Sequence, residues 1–269
     1  MSLVSGTGDN CVEGIENQAT RNLPKALINW YDFEGGARIL FISGGDPECE
    51  ILYETLMEKS YKIDKADIDM LENGLTDAKY QYIVAAGILE RVEDSVSLLK
   101  RLRILLDPSG KMLLGTENRF ALRSFCGDKD IFSGHVLGGI DSQRLKDGMV
   151  RGAYTKSELI QLLERADFLQ YRFYSVMPCL SRPQLILSEK YLPNEPLEVR
   201  IFPQYNHPET VFLMEEKLYR PLMDNNMFHQ MANAFLIECA IDDNLSDIDQ
   251  ITVQGDRSRE EAMATVIRR

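Results

Sequence analysis

Three short runs of this chain are apolar throughout their interiors: Arg38–Ser43, Tyr82–Gly87 and Lys111–Thr116. Strands that face water on one side alternate polar and apolar residues, and these do not. They suit strands buried on both faces, as in a parallel sheet covered by helices. Between the second and third runs, Val96, Leu99, Leu102, Leu105 and Leu106 share one helical face, with Asp94 at the cap position. The turn Asp107-Pro108-Ser109-Gly110 then leads into the third run. Strand, helix and strand at this spacing form a βαβ unit with a right-handed crossover. The spacing predicts an α/β chain with a doubly wound, mostly parallel sheet.

The flanking segments extend this frame. Leu23–Phe33 has helical spacing, with Pro24 in the first turn and Gly35-Gly36 behind it. Pro47–Lys59 reads as a helix with Ile51, Leu52, Leu56 and Cys49 inward, and Lys62–Ile68 as a short strand. Residues 119–153 are Gly-rich and read as a long insertion. Thr155–Glu158 is a capping box for a helix reaching Ala166, and two strands follow at Leu169–Met177 and Gln184–Leu187. Beyond Pro193 prolines cluster, Met223, Met227, Phe228 and Met231 read as core, and Glu238–Asp249 reads as a solvated acidic linker. The division expected is an N-terminal segment 1–34, an α/β domain 35–193, and a C-terminal extension 194–269. The strand-like residues Ala264–Arg269 make that extension read as the start of a further domain.

Charge narrows the partners. With 42 acidic and 30 basic residues the formal net charge is −12, which argues against a binder that tracks nucleic-acid phosphates or an anionic membrane. The five cysteines are scattered and contain no Cys-x-x-Cys pair, as expected for reduced thiols in a cytoplasm. The three histidines lack metal-ligand spacing, so no metal is expected. No apolar run is long enough for a membrane helix, and no secretory leader is visible.

Two segments carry a family resemblance. Tyr80–Val92 (Tyr-Gln-Tyr-Ile-Val-Ala-Ala-Gly-Ile-Leu-Glu-Arg-Val) precedes an apolar helix, and Leu105–Leu114 contains Asp-Pro-Ser-Gly before a strand. Together they resemble the second half of a class I S-adenosylmethionine-dependent methyltransferase. Glu117-Asn118-Arg119-Phe120 and Tyr191-Leu192-Pro193 resemble one bacterial branch, whose members are often joined to glycosyltransferase-like or other domains for surface polysaccharide. The likeness spans roughly Gly36 to Pro193. It implies a Rossmann-like methyltransferase fold, S-adenosylmethionine as cofactor, and a small-molecule or saccharide acceptor. It also implies that the last strands form an antiparallel hairpin, which 169–177 and 184–187 would supply.

The chain departs from the family in its first half. The family's first loop reads acid-x-Gly-x-Gly-x-Gly, and here the aligned stretch is Phe41-Ile42-Ser43-Gly44-Gly45-Asp46-Pro47. Only Gly45 keeps its place, and Pro47 removes a backbone donor. About 40 residues separate Gly45 from Ala85, too few for two further strand–helix units, so the first half is shortened.

The resemblance assigns Ser43, Gly44, Gly45, Asp46, Ala86 and Gly87 to the cofactor, with Asp64 and Asp67 as candidates for the ribose or adenine. Glu117 and His135 are candidate bases, and Asn118 and Arg119 candidate acceptor contacts. Each has a plain structural alternative: a tight turn capped by Asp46, solvated acids at 64 and 67, a solvated loop histidine. Glu90 reads equally as a cap, an ion-pair partner or a site residue. Two functions stay open: methyl transfer, or a catalytically inactive methyltransferase-like scaffold in a larger polysaccharide-biosynthesis protein. A nicotinamide oxidoreductase is disfavoured, because the Gly-x-Gly-x-x-Gly and its downstream acid are absent.

Overall fold

The computed structural model describes residues 23–45, 47–59, 61–73, 78–130, 133–140, 152–254 and 263–268. Its centre is one nine-stranded sheet. The strands are β1 (Arg38–Ser43), β2 (Lys62–Asp67), β3 (Tyr80–Ala86), β4 (Leu106–Glu117), β5 (Gln170–Met177), β6 (Leu185–Ser188), β7 (Ala234–Ala240), β8 (Ile248–Gln254) and β9 (Met263–Arg268). Their order across the sheet is β2-β1-β3-β4-β7-β5-β6-β8-β9.

The first four strands are parallel. From β4 onward every neighbour is antiparallel. The expectation of a mostly parallel sheet is therefore corrected to a mixed one. One reason lies in the connections: parallel pairing needs a crossover of about a dozen or more residues, and the turn from β5 to β6 is too short for one. Among the described residues one strand, β2, stands between β1 and β3 in the sequence, in keeping with the short first half.

Within the parallel half, successive residues of one strand feed two cores. Ile39 and Phe41 of β1, with Tyr82 and Val84 of β3, pack on the 23–27 turn and helix α1 (Pro47–Glu58) through Leu27, Leu52 and Leu56. Leu40, Ile42, Ile83 and Ala85 pack on the other face. There they meet α2 (Ile68–Asn73), α3 (Ser95–Leu105) and α4 (Lys156–Arg165). Both faces are covered, so no polar alternation survives in these strands. Full burial of each aliphatic side chain stabilises by about 1.5–3 kcal/mol. Phe41, aligned with an acid in the sequence resemblance, lies wholly inside this core with its ring 5.6 Å from that of Tyr53.

The local signals hold at the helix ends. Asp94 Oδ1 accepts from Ser97 N at 3.0 Å, and Thr155 and Glu158 form a reciprocal capping box. The helix expected over 23–33 is only a 3-10 turn, Leu23–Leu27.

The largest departure concerns the C-terminal segment. The sheet crosses the boundary expected at Pro193. β7 lies between β4 and β5, pairing Leu114 with Ile237 on one side and Phe173 with Ile237 on the other. The expected hairpin of β5 and β6 forms, with Tyr174 opposite Ser188, but β7 separates it from β4. Glu238, expected in a solvated linker, is fully buried in β7. Its carboxylate accepts from Tyr31 Oη at 2.7 Å, Ser246 Oγ at 2.7 Å and Ser246 N at 3.0 Å. Lys111 adds an ion pair at 3.3 Å. Four of the five cysteines lie among the described residues, and these four are buried. No helix among the described residues is long and apolar enough to cross a membrane.

Candidate functional site

In a parallel sheet the strand C-termini all point to one edge, where loops open a crevice for ligands. Here the ends of β1 and β2 and the segment after β3 frame a cleft of about 880 Å³. Ser43, Gly44 and Gly45 form one wall, Asp67, Ile68, Asp69 and Leu71 the second, and Arg91–Asp94 with Ser97, Leu98 and Arg101 the third.

The Ser43–Gly45 turn is built by its neighbours. A Cβ on Gly44 would stand 3.3 Å from the carbonyl oxygens of both Ala86 and Gly87, so the loop is pressed against the end of β3. Gly45 has φ of +83°, which favours glycine, and its missing side chain faces open space. Gly45 N donates to Ser43 Oγ at 3.2 Å, and Ser43 Oγ donates to Glu50 at 3.3 Å. Lys65 holds Glu50 in turn at 2.6 Å. Asp46 lies outside the described residues.

The two acids of β2 take different places. Asp67 ends the strand at the cleft, and its Oδ1 accepts from Met70 N at 2.7 Å. Asp64 lies nearer the other end and outside the cleft. It accepts from Arg38 at 2.7 and 3.0 Å and from Tyr80 Oη at 2.9 Å. Partial burial alone would raise its pKa, but the Arg38 and Tyr80 hydrogen bonds outweigh it and hold the carboxyl below its ordinary value. Ala86 and Gly87 form the back of the turn rather than the lining, and Gly87 N donates to Gly115 O at 2.9 Å.

The residues after β4 form a second constellation, beside the cleft and not lining it. Glu117 pairs with Arg123 at 2.6 Å. Burial opposes the Arg123 charge, but Glu117, Cys179, Asp128 and Glu215 outweigh it and raise its pKa. Asn118 is buried. Its Nδ2 donates to the carbonyls of Gln230 at 2.9 Å and Ala232 at 2.7 Å, and its Oδ1 accepts from Phe120 N. Arg119 is ion-paired to Glu158 of the capping box. These three residues tie β4 to the chain before β7 and to α4. His135 is exposed on the loop beyond, its N–H directed at Ser133 Oγ at 3.4 Å.

Glu90 sits between the two regions. It is 2 % exposed, and its Oε1 accepts from Thr116 Oγ1 at 2.6 Å and Glu117 N at 2.7 Å. Burial drives its pKa up, and these hydrogen bonds only partly offset that. Its structural role is to join the ends of β3 and β4.

Sequence reasoning missed most of the third wall. Asp94, Ser97, Leu98 and Arg101 stand at i, i+3, i+4 and i+7, one face of α3, and this face borders the cleft. The spacing was visible, but the apolar face of the same helix dominates the pattern. Arg91 and Glu93 directly follow the Leu-Glu that ends the resemblance to a strand terminus. Among the described residues, no group of three or more His, Cys, Asp or Glu is placed to hold a metal ion.

The donor set fits an S-adenosylmethionine-sized ligand. The cleft volume lies within the range of small-molecule sites. Arg91 and Arg101 can meet a carboxylate, Asp67 and Asp69 a ribose diol or an ammonium, and Ile68, Leu71 and Leu98 an adenine face.

No family model matches the chain, and no curated protein matches it. Solved structures do resemble it. An S-adenosylmethionine-dependent methyltransferase from Archaeoglobus fulgidus is 16 % identical, with a TM-score of 0.47, over 86 % of this chain and 100 % of that one. One from Thermotoga maritima, described as a possible histamine N-methyltransferase, is 13 % identical, with a TM-score of 0.43, over 85 % and 91 %. A third, from Mesorhizobium loti, is 13 % identical, with a TM-score of 0.41, over 81 % and 97 %. These three structures are described as S-adenosylmethionine-dependent methyltransferases, at a distance that fixes neither activity nor substrate.

Proposed function

We propose that this chain binds S-adenosylmethionine in the cleft and directs methyl transfer to a small-molecule or saccharide acceptor. The observation that carries the reading is the composition of the cleft at the strand C-termini: a glycine turn, two acids at and just past the end of β2, and Arg91 and Arg101 opposite. A bound sulfonium would supply an activated methyl, its carbon–sulfur bond breaking toward sulfur as the acceptor's lone pair bonds to the carbon, with Ser43–Gly45, Asp67 and Arg91 as the residues that would hold the cofactor. The protein's part is alignment and exclusion of water.

In this reading Ser43, Gly44 and Gly45 cradle the amino-acid portion, Arg91 meets its carboxylate, and Asp67 the ribose. Glu117 and His135 are the candidates for taking a proton from the acceptor. Asn118 and Arg119 serve by fixing the β4 edge on which the acceptor would rest. A second reading, an inactive methyltransferase-like module, is favoured by one observation: Glu117, Asn118 and Arg119 are all engaged in internal bonds.

Calorimetric titration with S-adenosylmethionine and S-adenosylhomocysteine separates these. Micromolar binding, lost in Gly45→Arg with the fold retained by circular dichroism and the melting temperature lowered by strain at that φ, is the expected result. Absence of heat at about millimolar ligand sinks the cofactor assignment. Binding with no methyl acceptor found, and unaltered by Glu117→Gln, selects the inactive module.

A further inference from the structure

Far from the cleft, the last two strands expose a second concavity. It measures about 390 Å³ and lies between the sheet face of β8 and β9 and the chain segment 191–200. Five inter-strand steps separate β3 from β8, so this concavity lies about 24 Å across the sheet from the cleft.

Strand alternation explains its character. Thr252 pairs with Thr265 and Gln250 with Ile267, so these four side chains share one face. Ile251, Val253 and Val266 take the opposite face and pack into the core. The polar face is nevertheless partly covered. Gln250 is 3 % exposed and Thr252 9 %, and Gln250 Nε2 donates to Thr252 Oγ1 at 2.9 Å. Above them stand Tyr191, which is packed against the core, and the ion pair Arg200–Glu195 at 3.0 Å.

The geometry points to a binding site for a neutral saccharide. Hydroxyls and carboxamides both donate and accept, as sugar hydroxyls require of their partners. Tyr191 offers a ring already fixed by packing, at little entropic cost. Arg200 and Glu195 neutralise one another, so no excess charge selects a phosphate or a cation. A peptide strand would pair with the backbone edge of β9, whereas this concavity lies on the side-chain face. The assignment does not depend on the function of the cleft.

Saturation-transfer NMR on the full chain, with cellobiose, maltose, lactose and diacetylchitobiose at about 10 mM, tests it. At least one disaccharide is expected to receive saturation and to titrate in the millimolar range. Thr265→Arg fills the concavity from an exposed position and is expected to weaken that binding at least about tenfold at unchanged melting temperature. Tyr191→Ala is expected to weaken it to a similar degree, with a lowered melting temperature because the ring also packs on the core. No transfer to any of the four, or binding untouched by Thr265→Arg, overturns the proposal. Preference for a sulfated disaccharide over its neutral parent overturns the neutrality of the site.

Discussion

Tyr31 and Glu238 are 207 residues apart in the chain and meet at 2.7 Å in the core. The bond fastens the segment before β1 to the middle of β7. Burial and the adjacent carboxylate together drive the Tyr31 phenol far above its ordinary pKa, so it stays a donor. Tyr31→Phe removes one donor from a buried charge and leaves Ser246 and Lys111 in place. A loss of about 1.5–3 kcal/mol in urea unfolding is expected. A loss below about 0.5 kcal/mol would show that Ser246 and Lys111 suffice.

Glu215 makes stability depend on pH. Its Oε1 accepts from Tyr219 Oη at 3.0 Å and Asn233 Nδ2 at 2.8 Å. Burial raises its pKa from 4.5 to about 7, against the pull of those bonds and of Arg123. Folding therefore favours the protonated acid. The contribution is fully present below about pH 4.5 and is lost as pH rises through about 7. Glu215→Gln keeps the acceptor oxygen and removes the charge. At pH 8 it is expected to stabilise the fold by up to about 3 kcal/mol, and near pH 4 to change little. Equal effects at both pH values would refute the titration.

Asn118 distinguishes a structural clip from a ligand contact. Asn118→Ala leaves the carbonyls of Gln230 and Ala232 without their side-chain donor. A loss of about 1–3 kcal/mol in denaturant unfolding is expected, with S-adenosylhomocysteine affinity unchanged. A drop in affinity at constant stability would return the residue to the binding site.

Much of the parallel half was legible in the sequence, because β1, β3 and the end of β4 are buried on both faces and two of its helices carry side-chain caps. β1 spans the residues read for it, and Asp94 and Thr155 cap as read. The antiparallel half was not, and the reason is specific. Glu238 breaks the apolar run Ala234–Ala240, and a charge in a strand reads as solvent until its distant partners are known. Pairing across the sheet leaves no local trace, so the place of β7 beside β4 was invisible. Within the site, the glycine turn and Asp67 were readable, while Arg91 and the α3 face were hidden behind a stronger core signal. Asn118 and Arg119 followed a buried strand, where structural ties and ligand contacts look alike.

The place of β7 also sets an order on synthesis. β4 and β5 emerge from the ribosome long before the strand that joins them, and until Ala240 follows, each keeps an unpaired edge. Such edges are templates for pairing with other chains. A nascent or cleaved chain ending near Pro193 would thus hold two half-sheets with nothing between them. The last third of the polypeptide is what makes the first two thirds safe to fold in a crowded solution.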